Sequence, residues 1–415
     1  MATQMSTTTF DNALKVLYPA GFEQVWYKKC PFVAWIPKEY DFGGSSKQIN
    51  PLYGGVRTSP NFAVAMQGKS TPSHARFNVT RVKQYLIGSI ENEVIEASKG
   101  KPAAIAEALK TALDAAMYSF GRTTAFQVWG DGSGTRGTVG AFAAGIITLS
   151  SRYDVVHFEV GDMLVKKNAG GVLLAGRMLI TAIDTNSGGN GLLTVTLLDG
   201  AANPAPTDTL AQEGEYTAAG AAVLSGVRAW VPTTSPGPGD NFFGVNRSVF
   251  PTRLAGIRML GAGKSIEEIV FEAQAEASVN GADVDTLWMN SHRFAALCKS
   301  IQSKAWYGQN SIVSVKSSRG RSGKVNVGFQ GFVFPGESGP VTVMSDPNCP
   351  YAYGLMTSRN AWKLASLKGA PHFAEEDGRR FRQEVASDAI EFRLKAYWNL
   401  LCKRPLDNVI IDWDN

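Results

Sequence analysis

Near the end of the chain, Ile390-Glu391-Phe392-Arg393-Leu394-Lys395-Ala396-Tyr397-Trp398 alternates apolar and polar positions. A period of two predicts a half-buried strand, with Ile390, Phe392, Leu394, Ala396 and Trp398 turned inward and Glu391, Arg393, Lys395 and Tyr397 outward. Between Pro102 and about Trp129 the period changes, and Ile105, Leu109, Ala112, Leu113, Ala116, Met117 and Phe120 recur at three- and four-residue spacing. This spacing predicts a long helix with proline in its first turn, spanning roughly 40 Å at 1.5 Å per residue. Gly121 weakens its last two turns.

Residues 1–41 carry little periodicity beyond a short helix at Phe10–Tyr18 and read as an arm. In residues 42–97, Gln48-Ile49-Asn50, Phe62-Ala63-Val64-Ala65-Met66 and Arg76–Val82 read as extended pieces broken by Gly54-Gly55 and Pro60, which makes a long hairpin with a polar tip. Such a hairpin cannot bury both its faces and needs a neighbour. Residues 98–142 hold the long helix. Residues 143–226 change character: His157–Val165, Arg177–Asp184 and Leu192–Asp199 are β-rich and divided by Gly170-Gly171 and Gly188–Gly191. Short strands at near-regular spacing predict a small all-β barrel or sandwich. Residues 227–415 open on the linker Thr233–Asp240. A helix from Ser265 to about Ser278 follows, then the strand Leu287-Trp288-Met289, a helix after Asn290-Ser291, and the closing segments Gly331–Gly336 and Gly339–Asp346. Helices interleaved with strands make this body α+β.

Composition sharpens the picture. Charged residues make up 19% of the chain, below the average of about 25%. Together with many aromatics, that suits extensive subunit contacts, and a glycine-rich β protein without partners is the other reading. The net charge of +5 is unevenly spread: residues 143–226 hold four basic and eight acidic residues, leaving +9 for the remainder. A mildly basic body suits diffuse, salt-sensitive contact with nucleic acid, without a dedicated DNA-binding face. No apolar run reaches about 18 residues and the N-terminus lacks a secretory pattern, so a cytoplasmic protein without a membrane span is expected. Cys30, Cys298, Cys349 and Cys402 are far apart, against zinc or a disulfide framework. Buried thiols are expected, with Cys349 in its Pro-rich turn the exception.

No motif announces catalysis. Gly261-Ala262-Gly263-Lys264-Ser265 imitates a phosphate loop, but Arg258 stands where that motif needs its first glycine, and Ser265 with Glu268 forms a capping box. Gly132-Ser133-Gly134-Thr135-Arg136-Gly137 fits a dinucleotide fingerprint in letters only, since it follows a helix, and reads as a flexible loop. His74, His157, His292 and His372 are scattered, with His292 a first-turn helix residue. Lys316, Arg319, Arg321 and Lys324 read as a solvated loop, or one touching nucleic acid or another subunit. Glu375-Glu376-Asp377 beside Arg379, Arg380 and Arg382 reads as a solvated ion-pair cluster. Accordingly no catalytic, metal or cofactor residue is expected, and no cofactor.

The order of these elements resembles the major capsid protein of tailed bacteriophages, with its HK97-like shell fold, over most of residues 1–140 and 227–415. The resemblance implies an α+β subunit with N-arm, extended hairpin loop, long spine helix and central domain, to which 143–226 is an inserted β domain on the outside. It implies that residues 42–89 lie over an adjacent subunit, with Tyr53, Arg57, Phe62, Met66 and Lys69, and Glu375, Glu376, Arg379 and Arg380, as candidate subunit contacts. It further implies self-assembly as hexamers and pentamers into an icosahedral head enclosing double-stranded DNA. The implied partners are a portal, a separate scaffolding protein and decoration proteins. A cellular nanocompartment shell of the same fold, or an enzyme of another class, are the alternative readings.

Overall fold

The predicted closing strand is the axis of the molecule. In the computed structural model, which describes residues 30–91, 102–185, 189–218, 220–305, 332–334, 339–375, 378–384 and 388–414, it runs Ala389–Cys402. One edge pairs antiparallel with Val82–Glu91 over ten residues, Val82 opposite Trp398 and Glu91 opposite Ala389. The other is shared by Phe381–Gln383, His372–Phe373 and Trp362–Ser366, with Lys38–Glu39 beside the last of these. Phe392, Leu394, Ala396 and Trp398 are buried with Leu113, Met117 and Phe120 of the helix Pro102–Trp129, whose span is the predicted one. The rings of Phe120 and Trp398 lie 5.4 Å apart. Gly88 sits opposite Phe392 because the ring needs its space: a Cβ there would fall 2.3 Å from Phe392 Cζ.

Two expectations fail here. Lys395, assigned outward, is only 9% exposed, because its ladder partners Tyr85 and His372 and the ring of Tyr397 close over it. And residues 30–41 are no appendage: the short helix Pro31–Trp35 buries Phe32 and Val33, and the Phe32 ring packs 4.5 Å from Trp129 and 5.4 Å from Trp288. The helix expected at Phe10–Tyr18 lies outside the described residues. Asp346 fastens this junction. Its buried carboxylate accepts hydrogen bonds from the Phe32 amide and Trp129 Nε1, both at 3.2 Å, and from the Asn348 amide at 2.8 Å. It therefore ties the N-terminal segment, the long helix and the central body together, and desolvation raises its pKa.

The central body is a six-stranded mixed sheet in the order Ile257–Leu260, Asn408–Asp412, Tyr353–Thr357, Thr286–Met289, Val341–Ser345, Phe332–Phe334. Both faces are covered, so strands such as Thr286–Met289 are buried at every position. Trp288, Leu355 and Ile410 join the core of the long helix, while Leu287, Met289, Met356, Val409 and Ile411 form a second core with the helices Ile266–Val279 and Ser291–Ala305. The capping box is present: Glu268 N donates to Ser265 Oγ at 3.3 Å, and Lys264 pairs with Glu272 rather than addressing a phosphate.

Six strands close into a barrel, in the order Arg177–Asp184, Leu192–Leu198, Ile146–Leu149, Gly137–Ala143, Thr209–Gln212, Met163–Lys167. Ile147, Leu149, Leu164, Met178, Leu193 and Leu210 fill it. It starts at Gly137, six residues before the expected boundary, since the first strand follows the Gly-rich loop directly. That loop is fastened rather than flexible: Lys167 Nζ donates to the Ser133 carbonyl at 2.9 Å and Thr135 Oγ1 at 2.7 Å. Cys30, Cys349 and Cys402 are buried free thiols, and the half-buried one is Cys298, not Cys349. The basic loop Lys316–Lys324 lies outside the described residues.

Candidate assembly surfaces

The hairpin region is an arm whose base is cored and whose tip is not. Ser46–Ile49 pairs with Phe77–Thr80, and Phe42, Ile49, Phe77 and Val79 are buried. The Phe77 ring packs 5.3 Å from Trp230. Farther out, Leu52–Gly54 pairs with Ser73–His74, and the tip carries a helix, Phe62–Gln67, with no buried residue. The expected extended piece at Phe62–Met66 is thus helical: Asn61 Oδ1 accepts from Ala63 N at 2.9 Å, capping the turn, and Gly68 ends it. Nor is the tip polar. Phe62 is 80% exposed, and Leu52, Val56, Val64 and Met66 are each about half exposed. A six-residue helix with no core has no stability of its own, so these side chains form a surface that calls for a partner.

Charge accompanies this surface. Residues 42–90 contain six Lys or Arg and no Asp or Glu. Arg57 is exposed, its amide donating to Ser70 Oγ at 3.0 Å, and Phe62, Met66 and Lys69 are exposed beside it. Tyr53 differs from the other candidate contacts. It is half buried against its own core, and its carbonyl accepts from Arg253 Nη1 at 3.0 Å.

A second surface lies on the outer strand. Val82–Glu91 pairs on one edge only among the described residues, and its residues alternate half-buried and exposed. Tyr85 and Ile87, each about 60% exposed, stand outward, with the Tyr85 hydroxyl 3.3 Å from that of Tyr397. A strand edge without a partner, beside exposed apolar residues, is a template for association. A third feature is the turn after His372–Phe373, where Glu375 pairs with Arg380 and the Arg380 guanidinium lies 5.4 Å over the Phe373 ring. Arg379 is exposed there, and Glu376 lies outside the described residues. The structure brings Arg57, Phe62, Met66 and Lys69 onto one tip, and Glu375, Arg379 and Arg380 onto one turn. Leu52, Val56, Val64, Tyr85 and Ile87 escaped the sequence reading. The signal for the last two was the alternation within Val82–Glu91, which leaves apolar residues on its solvent face.

The barrel is fastened to the long helix and to the central body. Glu215 accepts from Arg136 Nε and Nη2, both at 2.8 Å, and from Gln127 Nε2 of the long helix at 3.2 Å. Arg136 Nη1 also donates to the His157 carbonyl at 2.9 Å. On the other side the Tyr153 ring stacks 3.8 Å from Tyr351 of the central body, and Arg293 lies 3.9 Å over Tyr351. His157, against the Phe126 ring, is pushed down to about 3 by desolvation and by Arg136 and Arg122. Asp154 is pushed up to about 6 by desolvation, with Arg228 acting against the shift.

No protein-family model and no curated protein sequence matches the chain. Among solved structures, a subunit of the cyanophage A-1(L) capsid superimposes with a TM-score of 0.50, at 11% identity, over 93% of either chain. The chain has the HK97-like capsid-subunit fold. Further matches are a capsid subunit of a native GTA particle (TM-score 0.45, 7% identity, 95% of this chain and 91% of that one) and a chain from Gordonia phage Cozz (TM-score 0.43, 10% identity, 99% and 96%). At such low identity the likeness concerns backbone architecture alone, so contact residues rest on the exposed surfaces of this chain.

Proposed function

We propose that this chain is a major capsid subunit that assembles, as hexamers and pentamers, into an icosahedral phage head enclosing double-stranded DNA. The observation that carries the reading is an arm with a capped but coreless tip helix, on a chain with a capsid-subunit fold. Its exposed Phe62, Val64 and Met66 gain a partner when the arm lies across a neighbouring subunit. Contacts repeated around closed rings let many individually weak interfaces build one stable shell. The barrel is then an inserted domain on the outside of the shell, with virion as the location of the protein. The basic remainder makes diffuse electrostatic contact with packaged DNA. A portal, a separate scaffolding protein and decoration proteins are the further partners of this reading.

The test is a paired substitution at the tip, Phe62→Asp with Met66→Asp. Both side chains are exposed in the subunit, so the variant should keep the wild-type circular dichroism and melting temperature while losing assembly in sedimentation. Shells forming normally from the variant would remove the tip from the interface.

A further inference from the structure

Where the base of the arm meets the sheet, Ser45, Thr80, Arg81, Lys83, Leu367 and Tyr397 line an open cavity of about 320 Å³. Its polar lining is one guanidinium, one ammonium and three hydroxyls, with no carboxylate. None can come from the arm itself, because residues 42–90 contain no Asp or Glu. The donors are also positioned in advance. Arg81 Nη1 donates to the Phe42 carbonyl at 2.6 Å, and the guanidinium lies 5.6 Å over the Phe42 ring. That leaves Nε and Nη2 of Arg81 without a hydrogen bond among the described residues. Lys83 has no ion-pair partner among them either. The Tyr397 hydroxyl lies 3.3 Å from that of Tyr85, and when Tyr85 donates to it the Tyr397 O–H remains to give. Lys395 Nζ, 5.6 Å from the centre of the Tyr397 ring, adds a cation behind the tyrosine.

We propose that this cavity binds a phosphate-class oxyanion. Two Arg81 N–H groups, an ammonium and the hydroxyls offer more donors than one carboxylate can accept, whereas a tetrahedral oxyanion presents acceptors in all directions. The cavity is also several times the roughly 30 Å³ share of one water, so it has room for the group that carries the phosphate. The ligand is therefore a phosphate ester, either free or as one link of a nucleic-acid backbone. This inference does not rest on the shell reading.

Calorimetric titration of the full chain with inorganic phosphate at low chloride tests it. Saturable binding is expected, weakened about tenfold by Lys83→Gln, which removes one charge-assisted hydrogen bond. Thr80→Val should weaken it as well, and Lys299→Gln, the same charge change on the exposed face of the helix Ser291–Ala305, should leave it unchanged. Adding a short DNA duplex then separates the sources. Competition between duplex and phosphate supports the cavity with a nucleic-acid backbone as its ligand, and phosphate binding without competition supports it with a free ester. Absence of saturable phosphate binding, or equal weakening by Lys83→Gln and Lys299→Gln, would overturn the site and leave only diffuse electrostatics.

Discussion

The clamp between barrel and long helix can be broken at one atom group. The side chains of Arg136 and Glu215 are 4% and 8% exposed, and the Glu215 carboxylate takes two Arg136 bonds at 2.8 Å, one from Gln127 Nε2 at 3.2 Å and one from Gln212 N at 3.3 Å. Arg136→Met keeps an unbranched stem without the guanidinium and leaves that carboxylate buried with only two neutral donors. Removing one member of a buried pair costs about 3–5 kcal/mol, and Glu215→Leu, which leaves the guanidinium with Asp162 at 3.8 Å and the His157 carbonyl at 2.9 Å, should cost less. The double variant leaves neither charge, so its loss should shrink to about 2 kcal/mol or less, far short of the two single losses added together. Urea denaturation followed by tryptophan fluorescence measures the cycle, because Trp129 and Trp230 flank the clamp while residues 137–212 contain no tryptophan. An Arg136→Met loss under about 1 kcal/mol, or a double variant no better than the worse single one, would refute a buried clamp.

Other expectations follow from single positions. Gly88→Leu drives a side chain into the Phe392 ring, so the pairing of Val82–Glu91 should fail and its amides should lose hydrogen-exchange protection; unchanged protection would contradict the packing. His157 titrates near 3 in the fold against 6.5 ordinarily, so the unfolded chain binds its proton first and stability falls as pH drops through that window. Asp154, held protonated up to about 6 against 3.8, acts the opposite way: its contribution favours the fold as pH drops from 6 towards 3.8. Asp154→Asn should therefore unmask His157 and make acid denaturation set in at higher pH, and an unshifted acid midpoint would refute the opposition. Ser265→Ala removes the cap of the helix Ile266–Val279 and should cost about 1 kcal/mol in the same urea assay, and no change would count against the capping box.

Much of the architecture was legible because local patterns and tertiary environment agree. The helix Pro102–Trp129, the strand Thr286–Met289 and the Ser265 cap are each set by a period or a pair of residues within the element. Two of the failures share a cause, which is that the deciding neighbour is distant in sequence. Lys395 obeys the period of two, yet Tyr85, some 310 residues away, helps cover its outward face. Phe32 belongs to a core assembled from Trp129, Trp288 and Trp362, so residues 30–41 looked unstructured in isolation. Phe62–Met66 is too short for its alternation to choose between strand and helix, and the Asn61 cap decided it. The arm was legible as a region, through the length of the hairpin and its inability to bury both faces. Its contact side chains were not, because exposure is a property of the folded subunit. Val56 and Val79 look alike in sequence, and only the fold exposes one and buries the other.

Electron microscopy of negatively stained protein, with sedimentation velocity, tests the central claim most directly. The chain would be produced alone and again together with the products of its neighbouring reading frames. Closed shells of uniform diameter, tens of nanometres across, are the expected result in at least one of the two preparations. A dispersed monomer in both would contradict a shell-forming subunit.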